Sequence, residues 1–219
     1  MVTNKINIVI VSNDEEYAQA MQVRREVFVE EQNISPQKEF DGNDHSATHV
    51  LAIYENKPIG TMRIRYFSNF VKMERMCVLR DFRKTDTSEL IMQKGMEFVA
   101  QKGYETVYGI CKKELLNRWR RDGFEKIPDT PVVEQNGMTL VPVCCKINKP
   151  DKYITIQTSA DIINAKEGEW FDNVEENAVN RIKNLTDKVR KIKDAENPHI
   201  EQTDKSFVKS LHKADDKTY

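Results

Sequence analysis

The sequence predicts an α/β (α+β) protein built on a mixed sheet, and three observations carry that expectation. Short β-branched and aromatic runs recur along the first two-thirds of the chain, at Ile6–Val11, Val50–Tyr54, Ile59–Phe67, Val71–Leu79, Thr106–Cys111 and Met138–Ile147. Each is of strand length and bounded by turn residues. Between them lie segments with apolar residues three and four apart, the mark of one-faced helices. The resulting order, β, α, β, β, β, α, β, α, β, β, includes neighbouring strands joined by tight turns, so the strand arrangement is mixed.

In chain order, Ile6–Val11 ends at Ser12, Asn13 and Asp14, a strand followed by a helix cap. Asp14–Gln32 repeats Tyr17, Met21, Arg24, Val27 and Phe28 at helical spacing and is expected to stop before Pro36. An acidic, turn-rich stretch from Glu39 to His49 precedes Val50–Tyr54. Glu55, Asn56, Lys57 and Pro58 then turn the chain into Ile59–Phe67, an antiparallel hairpin. The next strand reaches Leu79 and a basic turn, Arg80–Lys84, after which Thr85, Thr87 and Ser88 offer cap oxygens to a helix. Its apolar face is Leu90, Ile91, Met96, Phe98 and Val99, and Gly103 closes it. A helix start leaves N–H groups unpaired and carries roughly +0.5 of a charge. Beside Arg83 and Lys84 it is equipped to hold an anion such as phosphate; an ordinary strand-to-helix connection is the alternative. After Thr106–Cys111 come a short helix, Glu114–Arg121, the Gly123-Phe124 turn into a further strand, and the last strand, Met138–Ile147, whose Pro142 suggests an edge or a bulge.

Beyond Pro150 the strand-like runs give way to charge. Between Gly168 and Ala195 the residues Phe171, Val174, Ala178, Ile182, Leu185, Val189 and Ile192 fall three and four apart. That predicts a long helix with a narrow apolar stripe, which docks on its own domain or pairs with another chain and so leaves a homodimer open. A chain of 219 residues suffices for one well-buried domain with an appendage. Its net charge of −1, without a basic patch interleaved with aromatics, disfavours nucleic acid as a partner. No apolar run approaches the roughly 20 residues of a membrane span, and the first residues turn acidic too soon for a secretory signal, so a cytoplasmic protein is expected. Cys77, Cys111, Cys144 and Cys145 lie in apolar runs without zinc-site spacing. Reduced, buried thiols and no metal are expected.

The motifs over residues 6–147 resemble the GCN5-related N-acetyltransferase (GNAT) superfamily. Arg24-x-x-Val27-Phe28-Val29 with Glu31-Gln32, then Glu39-x-Asp41-x-x-Asp44 and His49 ahead of a strand, are similar to a set of small bacterial acetyltransferases. The same helix and acidic triplet, with a downstream Arg63 or Arg65 and the Glu74-Arg75 strand, resemble acyl-homoserine lactone synthases and N-acyl amino acid synthases. The resemblance implies the GNAT fold in residues 1–150, a mixed, mostly antiparallel central sheet flanked by helices, with a helical extension and tail over 151–219. It implies acyl transfer, most simply acetyl transfer, from acetyl-CoA or another acyl-CoA as co-substrate to a small amine or amino acid. It places the backbone of Val78 against the thioester carbonyl and the turn Arg83, Lys84, Thr85, Asp86, Thr87 and Ser88 against the donor's phosphates.

Two places depart from the family pattern. Asp86 and Ser88 stand where the loop "Q/R-x-x-G-x-G/A" has glycines, and Arg118-Trp119 where "F-Y-x-x-x-G-F" has its aromatic pair. A glycine-poor loop suits a donor with fewer phosphates, so an acyl-carrier protein is a second candidate donor and partner. A retired acyltransferase fold, acting as a binding or regulatory module, is the competing reading.

Attack of an amine on a thioester needs a positioned acyl group, a stabilised oxyanion and a proton acceptor. Glu74, with Glu39, Asp41 and Asp44 in the loop that would cover the acceptor, are the carboxylates available to hold the ammonium or take its proton, and His49 is a candidate shuttle near pH 7. Each has a plain counterpart: Glu74 paired with Arg75, the acidic loop as a solvated turn, His49 as a satisfied structural histidine. On the acceptor side stand Arg24, Phe28, Arg63 and Trp119, where Phe28 also reads as core, Arg24 as a salt-bridged side chain, and Trp119 as the wall of an acyl pocket rather than a chemical group.

Overall fold

A computed structural model describes residues 5–135 and 137–171. Its centre is one sheet. β1 (Ile6–Ile10), β2 (Thr48–Tyr54), β3 (Lys57–Tyr66) and β4 (Val71–Val78) follow one another side by side, each antiparallel to the last. β5 (Thr106–Lys112) lies parallel to β4. Two short strands, β6 (Glu125–Lys126) and β7 (Val133–Gln135), both pair with β8 (Met138–Lys146), whose other edge pairs antiparallel with β5. This is the mixed, mostly antiparallel sheet that the sequence predicts.

Local chemistry explains the turns. Glu55 and Asn56 join β2 to β3 with φ of 47° and 62°, the two left-handed positions that a two-residue hairpin loop requires. Pro142 does not mark an edge: it sits in β8, opposite Ile110 of β5. Its carbonyl accepts the Ile127 N–H at 3.1 Å where β6 has just ended; the return bond to Ile127 O is the one proline cannot give, so the proline stops the β6 ladder and leaves the pairing with β5 intact.

The first helix is α1 (Asp14–Arg24), whose N-terminal cap, Asn13, accepts the Glu16 N–H at 2.9 Å. The chain continues as a wider π-helical stretch, Arg25–Glu31, followed by the single turn α2 (Pro36–Glu39). The long α-helix expected to Gln32 is therefore α-helical only as far as Arg24. α3 (Thr87–Gln101) buries Ile91, Met92, Gly95, Phe98 and Val99, whereas Leu90 and Met96 flank the contact. Gly95 lets the helix sit close on β3: a Cβ there would come within 2.4 Å of the Met62 Cε, so the methionine end would have to move aside. The helix ends as expected at Gly103, with φ of 86°. Its N–H bonds to Ala100 O and that of Tyr104 to Val99 O, the paired bonds of a glycine-terminated helix. α4 (Leu116–Arg121) and α5 (Ala160–Ile163) complete the helices of the described residues.

The compact unit runs to Trp170. Trp170 is buried, with its ring stacked 5.3 Å from that of Phe98. Ile154 N–H bonds to Gln101 O at 2.7 Å and Lys102 pairs with Glu167 at 3.0 Å. The helical stripe expected from Val174 to Ile192 lies outside the described residues.

Candidate active site

The sheet opens in its middle. β4 and β5 pair only through Val71 with Val107 and Lys72 with Tyr108, and beyond that the ladder stops although both strands continue. On its other edge β4 carries a bulge: Glu74 is opposite Arg63 and Cys77 opposite Thr61, so Arg75 and Met76 together face Met62. Arg75 has φ of 54°, a left-handed conformation that costs a side-chain-bearing residue about 1–2 kcal/mol. Leu79 N–H bonds to Ile59 O on the β3 side. By strand alternation the Val78 peptide faces the opening, and Arg83 Nε donates to its carbonyl at 2.9 Å.

The turn after β4 is a single 3-10 turn, Arg80–Phe82. The cap position of α3 falls to Asp86, which places Thr87 and Ser88 inside the helix rather than at its cap. Thr85 donates to Phe82 O at 2.7 Å and lies 2.6 Å from the Thr87 hydroxyl. Thr87 is fully buried beneath Gly60. Arg83 forks onto Glu31 at 2.8 and 2.5 Å, and this bond holds the Glu31 carboxyl below its ordinary value. Lys84 is exposed. From α4, Arg118 reaches Ser88 Oγ at 2.5 Å and Glu89 at 2.6 Å, bringing a positive charge to the N-terminus of α3. Trp119 packs on β5, where a Cβ on Gly109 would come within 2.5 Å of its ring, and meets Phe124 edge to face at 4.7 Å. It serves there as a packing ring.

The acidic residues form one buried ionic network. Arg24 Nε donates to Glu39 Oε1 at 2.6 Å and its Nη1 to Asp44 Oδ1 at 2.5 Å. Arg63 holds Asp41 through both terminal nitrogens at 2.7 and 2.8 Å, Asp44 at 2.8 Å and Glu74 at 2.8 Å. Arg75 Nε lies 2.9 Å from Glu39 Oε2, and Lys72 2.6 Å from Glu74 Oε2. Four carboxylates thus meet four cations, with Arg65 a fifth at 3.8 Å from Glu74. Arg24 and Arg63 are both 0 % exposed. Burial acts to raise the Glu74 carboxyl, but Lys72 and Arg63 outweigh it and hold it low. In Glu39 burial prevails over the pull of Arg24 and raises the carboxyl. Asp41 is lowered chiefly by Arg63.

His49 is buried, and its Nε2 lies 3.1 Å from Asp44 O while Nδ1 has no hydrogen-bond partner among the described residues. That leaves Nε2 as the protonated nitrogen, and burial lowers the imidazole below its ordinary value. The Tyr17 ring stands edge-on to it at 5.5 Å. Phe28 packs against Val23, Val27 and Cys77 in the core. The four cysteines are free thiols, three of them buried.

The predicted residues therefore fall into two groups on either side of β4: the network of Arg24, Glu39, Asp41, Asp44, His49, Arg63 and Glu74, and the donor-side turn from Val78 to Ser88 with Arg118. Sequence reasoning missed Lys72 and the Arg75 clamp. Lys72 was findable, since residues two apart on a strand share a face; a bulge at Arg75 leaves no sequence signal.

A family model described as an acetyltransferase (GNAT) domain matches residues 11–147. The Bacillus subtilis protein YyaT is 35 % identical over 101 residues, which cover 45 % of this chain and 68 % of YyaT. The B. subtilis protein YjcF, an uncharacterized N-acetyltransferase by its description, is 37 % identical over 95 residues, covering 43 % of this chain and 67 % of YjcF. Among solved structures, the CoA-dependent acyl-homoserine lactone synthase BjaI, with SAM and isopentyl-CoA, matches with a TM-score of 0.56 over 66 % of this chain and 84 % of its own, at 20 % identity. That likeness is one of fold.

Proposed function

Because the chain belongs to the GNAT acetyltransferase family, we propose that it moves an acyl group, acetyl in the first instance, from acyl-CoA to the amine of a small molecule. The observation that carries this reading is the opening between β4 and β5, with the Val78 peptide facing it beside a helix N-terminus. A thioester laid along β4 would meet the Val78 N–H at its carbonyl oxygen. The amides of the turn from Arg83 to Ser88, with Lys84 and Arg118, would face the donor's phosphates.

In this reading the amine lone pair attacks the thioester carbonyl carbon. The C–N bond forms, the oxyanion is held by backbone N–H, and the C–S bond then breaks as the carbonyl re-forms, releasing a thiolate that is protonated through water by the proton Glu74 has taken, which returns the carboxylate to its ionised form. The amine's proton passes through water to Glu74. Oε1 of that carboxylate accepts from both Nε and Nη2 of Arg63, whereas Oε2, held by Lys72, keeps a further lone pair for the proton, and the low carboxyl value keeps the group ionised near pH 7. Glu39, Asp41 and Asp44 act through the arginines, fixing the wall against which the acceptor lies.

Asp86 at the cap of α3 favours one second reading, an acyl-carrier-protein donor with a single phosphate to hold. The CoA dependence of BjaI, a synthase of similar fold, supports acyl-CoA as the simpler donor. We assign the chemistry to residues 1–150, with 151–219 as an extension, and the cytoplasm as the compartment, in keeping with the free thiols. The test is thiol release and product mass with acetyl-CoA, longer acyl-CoA and acyl-carrier protein, each offered a panel of amines. Release with none of them would falsify the reading.

A further inference from the structure

A surface cavity of about 430 Å³ lies at the carboxyl end of β5, lined by Gln32, Asn33, Ile34, Ser35, Lys38, Lys112 and Met138. One wall is the segment from Gln32 to Lys38, clipped to the bulge of β4 by the bond from Arg75 Nη2 to Lys38 O at 3.1 Å. The other is the last residue of β5, Lys112, with the first residue of β8, Met138. The cavity thus lies between a segment clipped to β4 and the end of β5, the two strands that border the opening.

Charge distinguishes this cavity from the acidic network next to it. Glu39, Asp41, Asp44 and Glu74 are each held by arginine or lysine, so little negative charge is left to attract a cationic substrate. Lys38 and Lys112 make no ion pair among the described residues, and both line the cavity. An unpaired ammonium beside a concave, partly apolar wall attracts an anion. The amide and hydroxyl groups of Gln32, Asn33 and Ser35 supply further donors.

We infer that the acceptor is an amine carrying its own acidic group, and that Lys38 and Lys112 hold that group while the amine is turned toward the thioester. The inference rests on the acyltransferase reading and narrows its acceptor to anionic amines, amino acids foremost. Polyamines and neutral amines are then the poorer acceptors. A carboxylate and a phosphonate share the required chemistry, and the test separates them.

Acyl transfer from saturating acetyl-CoA is measured on matched sets: an α-amino acid, its carboxamide, and the corresponding aminophosphonate. An acidic member should exceed the amide in kcat/KM by about tenfold or more, and the ranking of the two acids names the group. In the double variant Lys38→Met/Lys112→Met the acid-to-amide ratio should fall toward one through KM. Raising salt from about 0.05 M to about 0.5 M should narrow the same ratio in the unaltered protein, a readout that needs no variant. An amide used as well as the acid, or a ratio untouched by both salt and the lysine changes, overturns the inference and leaves acyl transfer standing. Absence of thiol release with every amine removes the acyltransferase reading and this inference with it.

Discussion

Arg24 and Arg63 donate to the same carboxylate oxygen: Asp44 Oδ1 lies 2.5 Å from one guanidinium and 2.8 Å from the other, and neither arginine side chain is exposed. That one oxygen ties α1 to β3 through the acidic loop. Replacing it by a neutral amide leaves two buried cations short of charge, so Asp44→Asn is expected to lower the unfolding free energy by about 3–5 kcal/mol. The urea midpoint measures it. A loss below about 1 kcal/mol would show that the remaining carboxylates suffice.

Burial holds the His49 imidazole below its ordinary value. The unfolded chain takes up that proton near pH 6.5, whereas the folded protein resists it. The contribution to stability is complete above about pH 6.5 and is lost as pH falls through the lower folded value. Glu39, raised by burial, works in the opposite sense, gaining stability as pH falls toward about 4.5. Asp41, Asp44 and Glu74, all lowered, begin to matter only below about pH 4. Melting temperature should therefore drop between about pH 7 and pH 5, and His49→Gln should flatten that slope. An unchanged slope in the variant would place the sensitivity elsewhere.

Glu74→Gln removes the proposed proton acceptor but keeps its shape. Turnover should fall by about 10²-fold or more, with KM for the acyl donor little changed. Arg63 keeps Asp41 and Asp44 as partners, so the protein should stay folded by circular dichroism. Turnover within a factor of about two of the parent would assign the proton transfer to solvent.

At the donor turn, Asp86→Gly takes a carboxylate away from the proposed phosphate position and restores the residue type of the family loop. Glycine at a helix cap costs only a few tenths of a kcal/mol. KM for acetyl-CoA should fall several-fold, on the order of the 1 kcal/mol or so by which a charge at a helix start matters. A raised KM would mean that Asp86 orders the turn instead of opposing the donor.

Trp170→Ala should cost about 3–5 kcal/mol, as for other buried aromatic truncations, since its ring covers Phe98 and faces the Lys102 ammonium at 5.3 Å. The same contact predicts that a chain ending at Pro150 melts far below the full chain. Equal melting temperatures would show that residues 151–170 add nothing to the fold.

The long strands, β1 to β5 and β8, were legible because each is an apolar run of the right length, and the hairpin because Glu55-Asn56 sits between two of them; the three residues of β7 carry no such run and were not legible. The helix start after the basic turn was legible as well, one residue away from its true cap. Other features depend on pairing partners that a single chain segment does not encode. Pro142 reads as an edge residue until β6 is seen to end beside it. The carboxylates of the acidic loop read as free groups until Arg24 and Arg63 are folded beneath them. A backbone twist at Arg75 leaves no composition or period to detect, and the widened turns after Arg24 keep the same side chains at nearly the same spacing as an α-helix. What the motifs identified was the neighbourhood of the chemistry; the charge state of that neighbourhood required the fold.

The two-rung join between β4 and β5 makes the sheet mechanically two sheets. From β1 to β4 and from β5 to β8 the strands pair along most of their length, bulges included, whereas across the seam the ladder rests on Val71 and Lys72. A donor lying in the opening with its own amides would supply the missing rungs. Its binding should then appear as stiffness as well as affinity: slowed amide hydrogen exchange along the carboxyl half of β4, and a protein whose halves melt together more sharply when the donor is present than when it is absent.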